Sequence, residues 1–298
     1  MTEKKKRLRR AALIGIPAFS AAAALLLRSA YERRALTVPE YRLYTAKPLS
    51  RTYTFMFLSD LHNMSFGEGN RELVSAIDRV SPDAVLIGGD MMTVKRKADL
   101  SVVTPLLSEL SARYPVFYGE GNHEARLDRD RGRYGDLFDD LLALLEDLGI
   151  PYLRDRSVLF SGEVRIGGVS LEKECYGKLR RKKLSAADIT DRLGEADREH
   201  YQVLLMHSPA FFESAADWGA DLTLSGHFHG GTIRLPGGFG LMTPQLQFLR
   251  RDCEGLSVRG DRSLIVSAGL GTHSVNLRIN NKPQAVVVRI SEADRFCG

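Results

Sequence analysis

The chain has 298 residues, 44% of them hydrophobic, and a formal net charge of +5, enough apolar material for one large α/β core or two small ones. The positive balance is local, because residues 1–34 hold nine Lys/Arg and two Glu, a net +7 that leaves −2 for the rest; the globular part therefore lacks the electrostatic footprint of a nucleic-acid-binding domain. Three distant cysteines, Cys175, Cys253 and Cys297, show no Cys-x-x-Cys spacing, which excludes a zinc knuckle or a disulfide framework and leaves inert thiols or at most one bridge.

The chain opens with a basic cluster, Lys4-Lys5-Lys6-Arg7-Leu8-Arg9-Arg10, followed by an uncharged apolar run from Ala11 to Leu27 and then Arg28, Arg33 and Arg34. As a helix that run spans about 26 Å, near the lower limit for crossing a bilayer. Leu25-Leu26-Leu27 run straight into Arg28 with no small-residue cleavage site between them, so an uncleaved anchor is expected over a cleaved signal segment. The heavier cluster precedes the run, which favours a cytoplasmic N-terminus, a single pass and a globular domain outside the cell membrane. Arg9-Arg10 also resembles a twin-arginine export signal, a weak pattern in any basic leader. The expected layout is a basic tail at 1–10, the anchor or signal segment at 11–27, a linker at 28–50 and the globular domain at 51–292. Tyr41-Arg42-Leu43-Tyr44, between Pro39 and Pro48, reads as an edge strand within that linker.

Beyond residue 50, short apolar runs alternate with amphipathic stretches. Helices are expected at Asn70–Val80, with Leu73, Val74, Ile77 and Val80 on one face, at Asp99–Arg113, and at Asp136–Leu148, where Gly149 supplies the stop. Strands alternating with helices predict βαβ units and a largely parallel sheet. From Tyr152 onward the runs shorten; Ser157 to Gly168 reads as a hairpin, and Ser263–Ser267 and Ala285–Ile290 read as strands.

Five apolar runs share one feature, in that each ends in polar groups suited to hard or borderline metals. Ala84-Val85-Leu86-Ile87 runs into Gly88-Gly89-Asp90, and Phe55-Met56-Phe57-Leu58 leads to Asp60-Leu61-His62. Pro115-Val116-Phe117-Tyr118 leads to Gly121-Asn122-His123-Glu124, Val203 to Met206 ends at His207, and Leu222-Thr223-Leu224 ends at Gly226-His227-Phe228-His229-Gly230-Gly231. Five of the seven histidines thus stand at strand ends, where α/β sheets place their sites. A single Gly-Gly-Asp is most often only a turn; repetition makes the case.

In this order, Asp60-x-His62, Gly88-Gly89-Asp90, Gly121-Asn122-His123-Glu124, His207 and Gly226-His227-x-His229 resemble the five signature blocks of the calcineurin-like metallophosphoesterases. Gly230-Gly231, Leu235-Pro236, Gly269-Leu270-Gly271 and Asn281-Lys282-Pro283 are similar to segments of that superfamily's bacterial membrane-linked branch. The resemblance implies a four-layer α/β/β/α sandwich with a dinuclear metal centre, here behind an N-terminal membrane-spanning helix. By the same resemblance, Asp60, His62 and His229 would hold one divalent ion, Asn122, His207 and His227 a second, and Asp90 would bridge both. The residue types support this independently: two ions about 3.5–4 Å apart need a shared anionic ligand, and imidazole, carboxylate and amide donors without thiolate suit Mn, Fe or Zn, with manganese the first expectation. The implied reaction is phosphoester hydrolysis by a metal-bound hydroxide, with His123 protonating the leaving oxygen and Glu124 orienting its neighbours.

Other features carry less. The basic run Lys173 to Lys183 could gather an anionic substrate or lie on acidic headgroups but is expected to be a solvated loop; Phe239, Leu241, Phe248 and Leu249 could contact a lipid-like substrate but are expected to pack, and His200 to lie at the surface. His273 and Arg278 could reach the cleft. Two function classes follow: a membrane-tethered phosphodiesterase or pyrophosphatase acting on an envelope lipid, nucleotide or wall-linked phosphoester, or a non-catalytic scaffold on the same fold. Seven competent side chains at the seven ligand positions favour the enzyme; substrate and oligomeric state lie beyond the sequence.

Overall fold

The structure, a computed structural model, describes Ser20 and residues 22–94, 98–178, 182–272 and 276–293. In chain order these form helix α1 (residues 22–32), strands β1 (Glu40–Thr45) and β2 (Tyr53–Leu58), α2 (Arg71–Val80), β3 (Ala84–Ile87), α3 (Val103–Ser111), β4 (Val116–Gly119), α4 (Asn122–Arg129), α5 (Arg131–Tyr134) and α6 (Leu137–Asp147). There follow β5 (Tyr152–Leu153), β6 (Arg156–Phe160), β7 (Val164–Gly168), α7 (Ala186–Leu193), β8 (Tyr201–Leu205), α8 (Phe212–Trp218), β9 (Leu222–Ser225) and β10 (Arg234–Leu235). The last strands are β11 (Phe239–Met242), β12 (Phe248–Arg250), β13 (Gly255–Arg259), β14 (Arg262–Val266) and β15 (Val286–Glu292).

The runs expected to be strands lack alternation because both of their faces are covered. In β2, Phe55 and Phe57 point one way and Met56 and Leu58 the other, since successive side chains leave opposite faces of a strand. Met56 and Leu58 join Val85, Ile87, Val116 and Tyr118 against Leu73 and Ile77 of α2, Leu106 and Leu110 of α3 and Leu141 and Leu145 of α6. Phe55 and Phe57 join Leu86, Val286 and Val288 against Val164, Ile166, Val203, Leu205, Leu222 and Leu224 of a second sheet. The far face of that second sheet, with Leu204 and Met206, packs on Ile189 of α7 and Ala215 of α8.

The first sheet has strand order β1-β15-β2-β3-β4-β5, the second β13-β14-β9-β8-β7-β6, and a small third sheet β10-β11-β12. The centre of each large sheet is parallel, as the βαβ pattern predicts. The sheets as a whole are mixed: β15 enters the first one antiparallel to β2, and the hairpins β6–β7 and β13–β14 form antiparallel edges of the second. The predicted hairpin across Ser157 to Gly168 is present with Phe160 opposite Val164.

Two expectations need correction. The helix expected from Asp99 begins at Val103, because the Asp99 carboxylate accepts the Ser101 backbone N–H at 3.1 Å and so closes a turn in place of the first helical bond. The segment expected as a linker at 28–50 holds the edge strand expected around Tyr41–Tyr44, β1, but is otherwise built into the fold: β1 pairs in parallel with β15 from Glu40↔Val287 to Thr45↔Glu292, and Ser29 and Glu32 of α1 are buried. No helix among the described residues is long and apolar enough to cross a membrane; most of the apolar run Ala11 to Leu27 lies outside the described residues, as do His273 and Cys297. The two described thiols, Cys175 and Cys253, are free and buried, and burial pushes Cys253 up to about 11.

Candidate active site

The strand ends of β2, β3, β8 and β9 and the start of α4 converge on one place. Asp60, His62, Asp90, His207, His227 and His229 are all buried there, and Asn122 begins α4 beside them. Donor atoms fall into overlapping groups within 4.8 Å of one another: Asp60, His62 and His229; Asp90, His207 and His227; and His62, Asp90 and His123. Asp90 belongs to the second and third of these.

Backbone geometry sets the directions of these side chains. Asp60, His62, Asp90, His227 and His229 adopt left-handed conformations, with φ of 55°, 47°, 56°, 66° and 49°, each costing roughly 1–3 kcal/mol outside glycine. Close backbone approach explains two of the neighbouring glycines. A Cβ at Gly226 would run into Ser59 Oγ and the Asp60 carboxylate, and one at Gly121 would strike the backbone N and carboxylate of Asp90. The Asp60 turn is thus locked against Gly226, and the Asp90 turn against Gly121.

Hydrogen bonds then fix each donor. The Asp60 carboxylate accepts the His227 N–H at 3.1 Å and the Ser59 hydroxyl at 2.6 Å, and Asp90 Oδ1 accepts the His123 N–H at 2.8 Å. Glu124, fully buried, accepts the backbone N–H groups of Asp90 at 2.8 Å, Met91 at 3.0 Å and Gly121 at 3.1 Å, together with the Tyr118 hydroxyl at 2.8 Å. It clamps the Asp90 turn to the first turn of α4, the orienting role expected of it; burial, and after it Asp90, raises its carboxyl to about 7. The Nδ1–H groups of His207 and His229 donate to the carbonyls of Gly88 at 2.7 Å and Gly271 at 3.2 Å, which turns both Nε2 atoms inward.

The inward atoms have the spacing of donors around a cation. His62 Nε2 and His229 Nε2 face each other at 3.2 Å, His229 Nε2 lies 3.3 Å from Asp60 Oδ1, and His62 Nε2 lies 3.8 Å from both Asp60 Oδ1 and Asp90 Oδ2. On the other side His207 Nε2 is 3.2 Å from Asp90 Oδ2 but not aligned for a hydrogen bond, and the Asn122 carboxamide oxygen is buried without one. Nitrogen and oxygen donors held at about 2.0–2.2 Å from an ion stand roughly 3–3.5 Å from one another, so the residues present fit a metal. Electrostatics agree. Burial raises the Asp60 carboxyl, whereas Asp90 is held well below the usual range, burial notwithstanding, by His207, His123 and His62. Burial opposes charge on His207, yet Asp90 and Asp60 together raise it to about 10: two buried carboxylates draw a proton to a place that a cation can fill.

His123 meets this network through His62 and Asp90. Its Nδ1 accepts the Val94 N–H at 3.0 Å, which leaves the proton of the neutral ring on Nε2, 4.0 Å from Asp90 Oδ2. Its ring packs edge-on against His62 with centroids 4.8 Å apart.

Three further residues support the site; Tyr176 escaped the sequence reading, while Asn281 and Arg278 were named there without these roles. Tyr176 sits within the basic run, its ring centroid 4.9 Å from that of His227; nothing in a charge run marks one aromatic residue as inward-facing. Asn281 donates to the His229 carbonyl at 2.7 Å, and its place in Asn281-Lys282-Pro283 was the available signal. Arg278 does not project a free charge into the cleft: its guanidinium is buried and donates to the carbonyls of Ala268 and Gly269 at 2.9 Å and Gly271 at 2.6 Å. It braces the segment that holds His229. His200 accords with its surface assignment, paired with Asp197 at 2.6 Å.

Residues 53–231 match the family model described as calcineurin-like phosphoesterase. The chain belongs to that family. It is 26% identical over 247 residues to the uncharacterized metallophosphoesterase YkoQ of Bacillus subtilis, covering 82% of this chain and 85% of the relative. It is 28% identical over 262 residues to an uncharacterized metallophosphoesterase of Aquifex aeolicus, covering 86% and 92%, and 24% identical over 253 residues to the phosphodiesterase YaeI of Escherichia coli, covering 84% and 86%. Family and donor clusters together make this calcineurin-like phosphoesterase a phosphoester hydrolase with metal-binding side chains at its strand ends.

Proposed function

We propose that this calcineurin-like phosphoesterase is a metal-dependent phosphodiesterase or pyrophosphatase with a dinuclear centre, tethered to the cell membrane by residues 11–27 with the catalytic domain on the extracytoplasmic side. The observation that carries the hydrolase reading is the pair of donor clusters on either side of Asp90. Asp60, His62 and His229 would hold one divalent ion and Asn122, His207 and His227 the other, with Asp90 shared; the donor set suits manganese first and iron or zinc next. Such a pair, when bound, activates water and neutralises charge on the phosphoryl oxygens.

The chain's own residues do the rest. Glu124 holds the Asp90 backbone N–H and the His123 N–H holds the Asp90 carboxylate at the junction of the clusters, and the carbonyls of Gly88 and Gly271 fix the tautomers of His207 and His229. His123 carries its proton on Nε2, the atom turned toward Asp90, from which it passes to the departing ester oxygen. The tether rests on the charge asymmetry about residues 11–27 and on α1, which leads from that run into the domain with Leu25, Leu26 and Leu27 exposed and Glu32 accepting the Asn281 N–H at 3.0 Å.

The hydrolase reading is tested by stripping the purified full chain with chelator and adding back single metals. Hydrolysis of bis(p-nitrophenyl) phosphate should vanish and return, manganese restoring most; activity that survives complete removal of metal contradicts the reading. Protease added to intact spheroplasts should digest the domain while cytoplasmic markers survive, and protection of the domain would invert the topology.

A further inference from the structure

The space beside the donor clusters divides into two unlike arms. One, of about 240 Å³, opens at His229 and is walled by Met242, Pro244, Leu246 and Leu277, with Lys178 and the buried Arg278 also in its lining. The other, of about 520 Å³, opens at Asn122 and His227, and its walls carry four cations. Arg126 and Arg129 come from α4, one and two turns beyond Asn122 and on the same face; Lys173 and Lys178 come from the segment opposite. Among the described residues lining this arm, Asp130 is the one acid, so the lining carries a net +3 with histidine neutral. Asp130 already pairs with both arginines, at 3.1 Å to Arg126 and 3.4 Å to Arg129. This excess sits in a chain whose charge beyond residue 34 sums to −2.

We propose that the arm between α4 and residues 173–178 is a subsite for a second phosphate of the substrate, and that this hydrolase prefers phosphoesters carrying a further phosphate next to the one attacked, as in a pyrophosphate diester. The inference rests on the hydrolase reading above and adds a substrate class to it. One phosphodiester carries a single negative charge, which the donor clusters with their ions already answer; four more cations leading away from Asn122 match additional charge on the part of the substrate that lies there. Arginine's planar fork suits phosphate oxygens, and the two lysines add point charges from the facing wall. Lys178 stands between the arms and lines both, whereas Arg126, Arg129 and Lys173 line only the larger one, so the greater positive charge lies toward Asn122 and places the second phosphate there. The basic run expected as a solvated loop thus divides in function. Lys182 is spent on Glu172 at 2.6 Å, while Lys173 and Lys178 face the cavity.

The test uses the full chain with metal in excess. Inorganic pyrophosphate and inorganic phosphate are compared as competitive inhibitors of bis(p-nitrophenyl) phosphate hydrolysis, and UDP-glucose is compared with bis(p-nitrophenyl) phosphate as substrate. Two double variants probe the walls separately, Arg126→Gln with Arg129→Gln and Lys173→Gln with Lys178→Gln, each checked for unchanged thermal unfolding. Pyrophosphate should bind the parent protein more tightly than phosphate. In each variant that preference, and the ratio of kcat/KM for UDP-glucose to that for bis(p-nitrophenyl) phosphate, should fall about tenfold, as two half-exposed ion pairs allow, through KM and with a weaker salt dependence. A ratio and a preference unmoved in both variants would overturn the subsite while leaving the hydrolase reading intact. A parent protein that cleaves neither substrate with any metal overturns the hydrolase reading itself, and the subsite with it.

Discussion

The two halves of the site are built from different chemistry. The first sheet, through the ends of β2, β3 and β4, supplies both carboxylates, the Asn122 amide and His62; the second, through the ends of β8 and β9, supplies only imidazoles, His207, His227 and His229. Each half is oriented by the other. The His227 N–H of the second half holds Asp60 of the first, and the Gly88 carbonyl of the first holds His207 of the second. Neither half is a finished ligand set alone, so the site forms only when the two sheets close on the Phe55–Phe57 and Val203–Leu205 interface. Both carboxylates lie on one side and three of the imidazoles on the other, which makes the halves separately breakable.

The largest expected effect comes from His123, which belongs to the first half but to neither proposed ligand set. His123→Asn should lower kcat for alkyl phosphodiesters by about 10²- to 10⁴-fold, the range for a lost general acid, and clearly less for nitrophenyl esters, whose leaving group departs unprotonated. Metal content should not change. Equal losses on both substrates would make His123 a positioning or charge-stabilising residue instead, and loss of metal would place it in the coordination shell.

A smaller effect is expected from the brace behind the second half. Arg278→Met keeps the bulk of the side chain but strips the donors from the carbonyls of Ala268, Gly269 and Gly271, at a cost of about 3 kcal/mol in stability. Denaturant unfolding of the full chain measures this. The damage should reach His229, which bonds the same Gly271 carbonyl, before it reaches Asp90. Unchanged stability would mean that Arg278 is not the brace described.

The contrast between halves also explains what could be read from the sequence. Asp60, Asp90, Asn122 and His207 were legible because each ends an apolar run whose length and lack of alternation already announce a buried strand. The order of strands was not: β15 lies between β1 and β2 through pairings more than 200 residues apart in sequence, and no local pattern encodes a partner at that distance. The left-handed turns at His62 and His229 were hidden for a related reason, since only the surrounding lattice of bonds holds a histidine there. Asp99 misled the reading of α3 because a short acid serves a turn as readily as a helix start. Tyr176 acts through position in space with no neighbour in sequence that betrays it; Arg278 was read as able to reach the cleft, but its bracing role depends on carbonyls that only the fold assembles.

The most direct test of the shared carboxylate is the metal content of three forms of the full chain after chelation and reloading: the parent, Asp90→Asn and His207→Ala, each confirmed folded by circular dichroism. Asp90 touches donors of both halves, so its loss should deplete both ions, with affinity falling by more than the roughly 10- to 100-fold seen when only an outer partner of a ligand is removed. His207 serves one cluster, and its loss should leave partial occupancy. Two ions in the parent, near none in Asp90→Asn and an intermediate content in His207→Ala is the predicted result; an Asp90→Asn protein that keeps two ions and full activity would contradict the account.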